Sequence, residues 1–279
     1  MKYILFIFLI FGIVANACEK AKDPSRITSA GGSITEIIYF LDTQKNLVAV
    51  DVTSNFPPEA KDLPSIGYVR QLSAEGILSL DPTIIIGEDD MGPPSVLEQI
   101  KRTNVEIQII PENHSVEGIL EKIDCVSKII GYDAEETIQS SLNPKIKKLN
   151  EIKNAINKKN VIYILGMQSG SPLIAGKNTS GDGLIKISGG INPLSSFEGW
   201  KPVGTESIIE ASPDLIIISE RGLRGFGTIE DLRKHPALYL TPASKNNKIV
   251  AIDGMASLGF GPRTLDSAIK ISEILNGIN

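Results

Sequence analysis

A chain of 279 residues, 42% hydrophobic and 22% charged, is long enough for two domains and apolar enough to bury a core, which excludes bulk disorder. Its formal net charge of -5 excludes the overall basic field that holds nucleic acid. Metal-ion sites need three or four converging His, Asp, Glu or Cys ligands, and two histidines in the whole chain argue against one.

Met1-Lys2 supplies a positive charge, Ile4 to Val14 is apolar, and Ala15-Asn16-Ala17 precedes Cys18. This is the layout of a secretory signal over residues 1–17. The apolar run is shorter than the roughly 18–20 residues of a membrane span. Cys18 stands where a bacterial lipoprotein carries its lipid, although the residue three before it is Ala15 rather than Leu. Two outcomes are open. Lipid on Cys18 would leave Cys125 unpaired, whereas plain cleavage after Ala17 would permit a Cys18–Cys125 disulfide in an oxidising compartment. Residues 18–25 are expected to form a tether. Cys125, among Ile123, Val126 and Ile129, reads as core.

The chain then alternates strand and helix signals, which predicts an α/β fold. Strand-like runs are Ile27–Ala30, Leu47–Val50, Thr83–Ile86, Val105–Ile109, Val161–Leu165, Leu215–Ile218 and Ile249–Ile252. Several are nearly continuous β-branched residues, as expected of parallel strands buried on both faces. Ser33 with Glu36 predicts a capping box. Pro93-Pro94 opens a helix, and Ser115 caps another that runs to Ile130 and stops at Gly131. From Ala134 to Lys159, Ile138, Leu142, Ile146, Leu149, Ile152 and Ile156 form one apolar stripe at spacings of three and four. The interleaved lysines 145, 147, 148, 153, 158 and 159 read as a solvated face. Pro144 should kink or split this helix. It is expected to be a spine joining a lobe over residues 26–132 to a second over 160–279.

An internal repeat supports two lobes. Leu72-Ser73-Ala74-Glu75 leads to Asp81-Pro82 and a strand, and Gly204-Thr205-Glu206 leads to Ser212-Pro213 and a strand. Each copy places a carboxylate, Glu75 or Glu206, in the first turn of a short helix expected to be capped by its hydroxyl residue.

Gly31-Gly32-Ser33-Ile34-Thr35-Glu36, Asp51-Val52-Thr53-Ser54, Gly67-Tyr68-Val69-Arg70-Gln71-Leu72-Ser73-Ala74-Glu75-Gly76 and Gly92-Pro93-Pro94 resemble the periplasmic haem-binding proteins of bacterial haem ABC transporters. Ala175-Gly176, Gly189-Gly190-Ile191-Asn192, Phe197-Glu198-Gly199-Trp200, Arg221-Gly222-Leu223 and Gly259-Phe260-Gly261-Pro262-Arg263 carry the resemblance through the second half. The general pattern is shared with cobalamin-, siderophore- and metal-binding relatives.

The resemblance implies two Rossmann-like lobes, one long connecting helix and a ligand cleft between the lobes. It implies that Tyr68 matches the tyrosine that binds haem iron. Phenolate is a hard anionic donor suited to ferric iron, but a free phenol ionises near pH 10, so a neighbouring cation must help. In an extended stretch Arg70 points the same way as Tyr68 and can steady the phenolate or bind a propionate. Arg221 and Arg224, in a loop after a strand, either reach a propionate or stay solvated. No histidine maps to the far face of the haem. Met167 lies there, as a weak thioether ligand or as packing. The expectation is a five-coordinate or weakly six-coordinate high-spin ferric haem. The resemblance also matches Glu75 and Glu206 to carboxylates that pair with arginines on a two-fold membrane permease, which works with an ATPase.

No nucleophile elbow, His-Glu-x-x-His or P-loop is present, so no catalytic residue is assigned and an enzyme is not expected. A siderophore or cobalamin carrier of the same fold is the alternative. The protein is expected to be exported to the periplasm, peripheral to the membrane, lipid-anchored if Cys18 is acylated, and monomeric.

Overall fold

The computed structural model describes residues 18–278 except 156 and 169. The expected signal at 1–17 lies outside the described residues. The first lobe holds β1 (Ile27–Ala30), α1 (Gly32–Phe40), β2 (Leu47–Val50), β3 (Gly67–Tyr68), β4 (Gln71–Leu72) and α2 (Ala74–Leu78). It continues with β5 (Ile84–Glu88), α3 (Pro94–Ile100), β6 (Glu106–Ile110) and α4 (Val116–Ile130). Two helices follow, α5 (Glu135–Ser141) and α6 (Asn143–Lys153). The second lobe opens with β7 (Val161–Gln168), β8 (Ser171–Ala175), α7 (Ser180–Ile187), β9 (Trp200–Pro202) and α8 (Thr205–Ala211). After β10 (Leu215–Ser219) come α9 (Glu220–Leu223), α10 (Ile229–Arg233) and α11 (Pro242–Lys245). Then β11 (Ile249–Ile252), α12 (Gly254–Leu258) and α13 (Thr264–Asn276) complete it.

The first sheet runs β2-β1-β5-β6 and is parallel throughout. The second runs β11-β10-β7-β8-β9. Its first three strands are parallel, and β8 and β9 are antiparallel additions. Strand periodicity explains the layering. Ile84 and Ile86 face α1 and α4, while Ile85 faces α2 and α3. In the second sheet Val161, Tyr163, Leu215 and Ile217 face α7 and α13, while Ile162, Ile164, Ile216 and Ile218 face α8, α10 and α11. The first of each pair of faces belongs to one continuous core. Ile123 of α4, Leu149 of α6, Tyr163 of β7, Phe260 and Leu265 of α13 all lie in it.

Several expectations are corrected. The connector is two helices in direct succession, broken at Leu142 (φ -103°) ahead of Pro144, and α6 ends at Lys153 rather than 159. Ile156 lies outside the described residues. Proline without an N–H is accommodated in the first turn of a new helix, so the stripe is cut where Pro144 allows it. The lysine face is partly engaged, since Lys145 pairs with Asp266 at 2.8 Å and Lys148 with Glu273 at 2.7 Å, lashing α6 to α13. Residues 18–25 are docked. Ala21 is buried and its N–H donates to Ile129 O at 2.9 Å. Cys18 and Cys125 form a disulfide. A sulfur engaged in that bond cannot carry a thioether-linked lipid. Cys125 is buried, as expected.

The predicted caps divide. Ser115 accepts from Gly118 N at 2.9 Å, and Gly131 ends α4 with φ 73° in the left-handed region that glycine tolerates. Ser73 caps α2 through Gly76 N at 3.2 Å. Thr205 does not cap α8, because that helix begins one residue earlier than expected, with Gly204 at the cap. The capping box at Ser33 and Glu36 is also absent. Gly31 is the cap residue of α1, and both side chains are drawn into longer-range contacts.

Candidate ligand-binding cleft

Four parallel strands end on one edge of the first lobe, and the loops leaving that edge carry polar residues. They are Gly31–Ser33 after β1, Asp51–Phe56 after β2, Glu88–Asp90 after β5, and Glu112 with His114 after β6. This edge abuts the second lobe. Arg263 caps α13, pairs with Glu36 at 2.8 Å and Asp253 at 3.1 Å, and lies 3.8 Å over the Phe56 ring. The His114 ring is 4.9 Å from Phe260. Gly183 of α7 packs so closely on His114 that a side chain there would collide with it.

A buried polar knot ties the floor together. Lys122 of α4 has no exposed side chain; its Nζ donates to Gly259 O of the second lobe at 2.9 Å and Ser33 Oγ at 3.2 Å, and pairs with Glu112. Ser33 Oγ in turn donates to Glu88 Oε1 at 2.6 Å. Burial pushes the Glu88 carboxyl up to about 7, against the pull of Lys122 and with the help of neighbouring Glu112. Burial works the same way on Glu112, but the His114 hydrogen bond and the Lys122 charge outweigh it and hold that carboxyl below its ordinary range. At Glu36 burial wins over Arg263 and raises the carboxyl. The N–H groups that open α1 are answered within the lobe. Gly31 N donates to Asp51 Oδ1 at 3.1 Å, Gly32 N to Thr53 Oγ1 at 3.0 Å and Ser33 N to Glu88 Oε1 at 3.3 Å. That helix end is therefore closed to an anionic ligand.

Tyr68 and Arg70 rise from the same edge on the β3–β4 hairpin. Val52 N donates to Gly67 O at 2.9 Å and anchors the hairpin beside β2. Tyr68 is half-buried. Arg70 Nη1 donates to its Oη at 2.8 Å, and Arg70 Nε donates to Asp90 Oδ2 at 2.7 Å. Burial opposes the charge on Arg70, but Asp90 and the Tyr68 oxygen more than offset it and bind its proton more tightly than usual.

On the second lobe Met167 is half-buried near the end of β7. Arg221 is exposed within α9 and Arg224 is its exposed C-cap, so neither sits in the expected irregular loop. Gly222 packs on Leu165 O and Gly166 faces Gly222, which sets α9 against the later part of β7. Tyr68 with Arg70, and Met167 with α9, thus stand at the strand-end edges of the two lobes. Glu75 and Glu206 are elsewhere, each exposed in the first turn of α2 or α8. Trp200 packs edge-on to Tyr163 at 5.9 Å and joins the core. A surface groove between Leu194, Phe197, Val203 and Glu210 involves none of these residues. Among the described residues no cluster of three or more metal-ligating side chains occurs.

Sequence reading missed Asp90, Glu88, Glu112 and Lys122. The run Glu88-Asp89-Asp90 at the end of a predicted strand was the available signal, because ligand loops of α/β proteins leave from there.

Curated relatives include an uncharacterised ABC transporter substrate-binding lipoprotein, YvrC, of Bacillus subtilis, 21% identical over 90% of this chain and 80% of that one. A vitamin B12-binding protein of Vibrio parahaemolyticus is 25% identical over 98% of this chain and 96% of its own. Among solved structures, the periplasmic heme-binding protein RhuT of Roseiflexus sp. RS-1 superposes with a TM-score of 0.84 at 34% identity, covering 91% of this chain and 98% of that one. The periplasmic heme-binding protein HutB of Vibrio cholerae gives 0.80 at 36% identity, covering 91% and 99%. The model of the periplasmic binding protein family matches residues 27–256. With both parallel-stranded sheets, from β1 to β11, within that match, the chain belongs to the periplasmic binding protein family.

Proposed function

We propose that this protein binds haem in the cleft between its lobes and delivers it to the permease and ATPase of an ABC importer, with Tyr68 as axial ligand to ferric iron. The observation that carries the reading is the 2.8 Å hydrogen bond from Arg70 to the Tyr68 oxygen on a hairpin anchored at the strand-end edge. A guanidinium held there can hydrogen-bond a phenolate, the form that ligates ferric iron. The likeness to RhuT and HutB, whose names give heme as their ligand, supports the cargo. Arg221 and Arg224, without an ion-pair partner among the described residues, supply cationic ends for propionates, and Met167 packs against the ring or ligates weakly. Glu75 and Glu206 are the docking points for the permease. The protein works in the periplasm as a carrier rather than a catalyst, and as a monomer.

Titration of the purified protein with hemin should give a Soret band and a high-spin ferric spectrum. Tyr68→Phe should weaken binding at least tenfold and abolish the phenolate-to-iron charge-transfer band. An unchanged spectrum in Tyr68→Phe, or a low-spin bis-ligated spectrum in the wild type, would remove the ligation scheme. The identity with vitamin B12-binding proteins favours cobalamin as the second reading. Cyanocobalamin that binds and displaces hemin stoichiometrically would promote it.

A further inference from the structure

Arg70 is a long side chain with 60% of its area exposed. Such a side chain loses much rotamer freedom on ordering, so something must fix it. Asp90 does so. Its Oδ2 accepts from Nε at 2.7 Å and also contacts Nη2, while Nη1 on the same plane serves Tyr68 Oη at 2.8 Å. One rigid fork thereby joins a carboxylate to a phenol.

The carboxylate itself is fixed by backbone. Gly92 N donates to Val69 O at 2.9 Å, and Leu72 N donates to Gly92 O at 2.9 Å. The loop that carries Asp90 is therefore stitched to both sides of the hairpin that carries Tyr68 and Arg70. Asp90 Oδ1 is enclosed, with no hydrogen-bond partner among the described residues, so the carboxylate is not shared with another donor there.

We infer that Asp90 is a positioning residue for the iron ligand: it fixes the Arg70 fork on Tyr68 and its negative charge limits how far Arg70 withdraws electron density from the phenolate. This rests on the reading of Tyr68 as the haem ligand. Geometry and charge separate cleanly in two substitutions. Asp90→Asn keeps an acceptor oxygen for Arg70 and removes the charge. Asp90→Ala removes both.

The probe is hemin, bound to the full-length protein with the thermal unfolding of each variant as a folding control. Asp90→Asn should bind hemin within about twofold of wild type, and its ferric/ferrous midpoint should move to more positive potential, because ferric iron loses a neighbouring negative charge and its phenolate donates less. Asp90→Ala should release hemin to apomyoglobin about tenfold faster, the order expected for loss of a charged hydrogen bond. In an Arg70→Ala background the same Asp90→Ala change should add nothing to the release rate. Wild-type release and midpoint in both Asp90 variants would overturn the inference. So would an Asp90→Ala effect of equal size with and without Arg70, which is the signature of a merely structural side chain. If Tyr68→Phe leaves the hemin spectrum unchanged, the ligand reading itself falls and this one with it. If Tyr68→Phe alters the spectrum while the Asp90 variants behave as wild type, only the role of Asp90 falls.

Discussion

Glu88 shows how a single buried carboxyl couples the cleft floor to pH. Its carboxyl is raised to about 7 by burial, with Lys122 opposing and Glu112 and Asp90 adding to the rise. A carboxyl raised on folding binds more protons in the folded than in the unfolded state, so it adds stability at low pH and loses it as pH climbs. The window runs from the ordinary carboxylate range, near pH 4.5, up to about 7. Denaturant unfolding of Glu88→Gln should therefore show a gain over wild type at pH 8 that shrinks at pH 5. A gain of equal size at both values would contradict the assignment. Glu112 acts with the opposite sign, since a lowered carboxyl loses its contribution as pH falls. The residues of this floor were poorly legible in sequence for one reason: their partners are remote. Lys122 lies 89 positions from Ser33 and 137 from Gly259. Tyr68 and Arg70 were legible because they are two apart on one hairpin, and because the run around them resembles a known family. Asp90, twenty positions on, was not.

At the level of elements, short apolar runs marked all seven parallel strands, several of them nearly continuous in β-branched residues because a strand covered on both faces is apolar at most positions. β8 and β9 escaped. They contain Pro172 and Pro202, which argue against a strand in the sequence, and they add antiparallel to one side of the second sheet, with β9 at its edge. Ser33 and Glu36 looked like a local cap and instead serve the joint between lobes, a case of tertiary contact overriding local chemistry. The same joint gives α4 an importance its amphipathic pattern does not reveal. Lys122→Met keeps the length and apolar stem of the side chain but leaves Glu112 without its buried cation. Breaking one side of such a pair should cost about 3 kcal/mol in urea unfolding. A loss within the surface range of about 0.5 kcal/mol would mean that Lys122 is not the fastening between α4 and the second lobe.

For the molecule as a whole, a core that runs without interruption from α4 through α6 to α13 joins the lobes as one packed body. Two lobes built on one plan then carry Glu75 and Glu206 at matching places on their surfaces, each on the first turn of a short helix before a buried strand. Exposed charges of this kind set the rate and salt dependence of association more than its strength. Reversal of both, Glu75→Lys with Glu206→Lys, should slow capture by the reconstituted permease at least tenfold at low salt and leave hemin affinity untouched. Unimpaired transport would remove their docking role. A further consequence follows from the start of the folded chain. Only Glu19 and Lys20 separate Cys18 from Ala21, whose amide is already held by α4. Three such steps stretch to about 10 Å. An acyl chain on Cys18 would press the body flush against the bilayer with no slack to swing toward a distant permease, and a sulfur bridged to Cys125 is not available for that link.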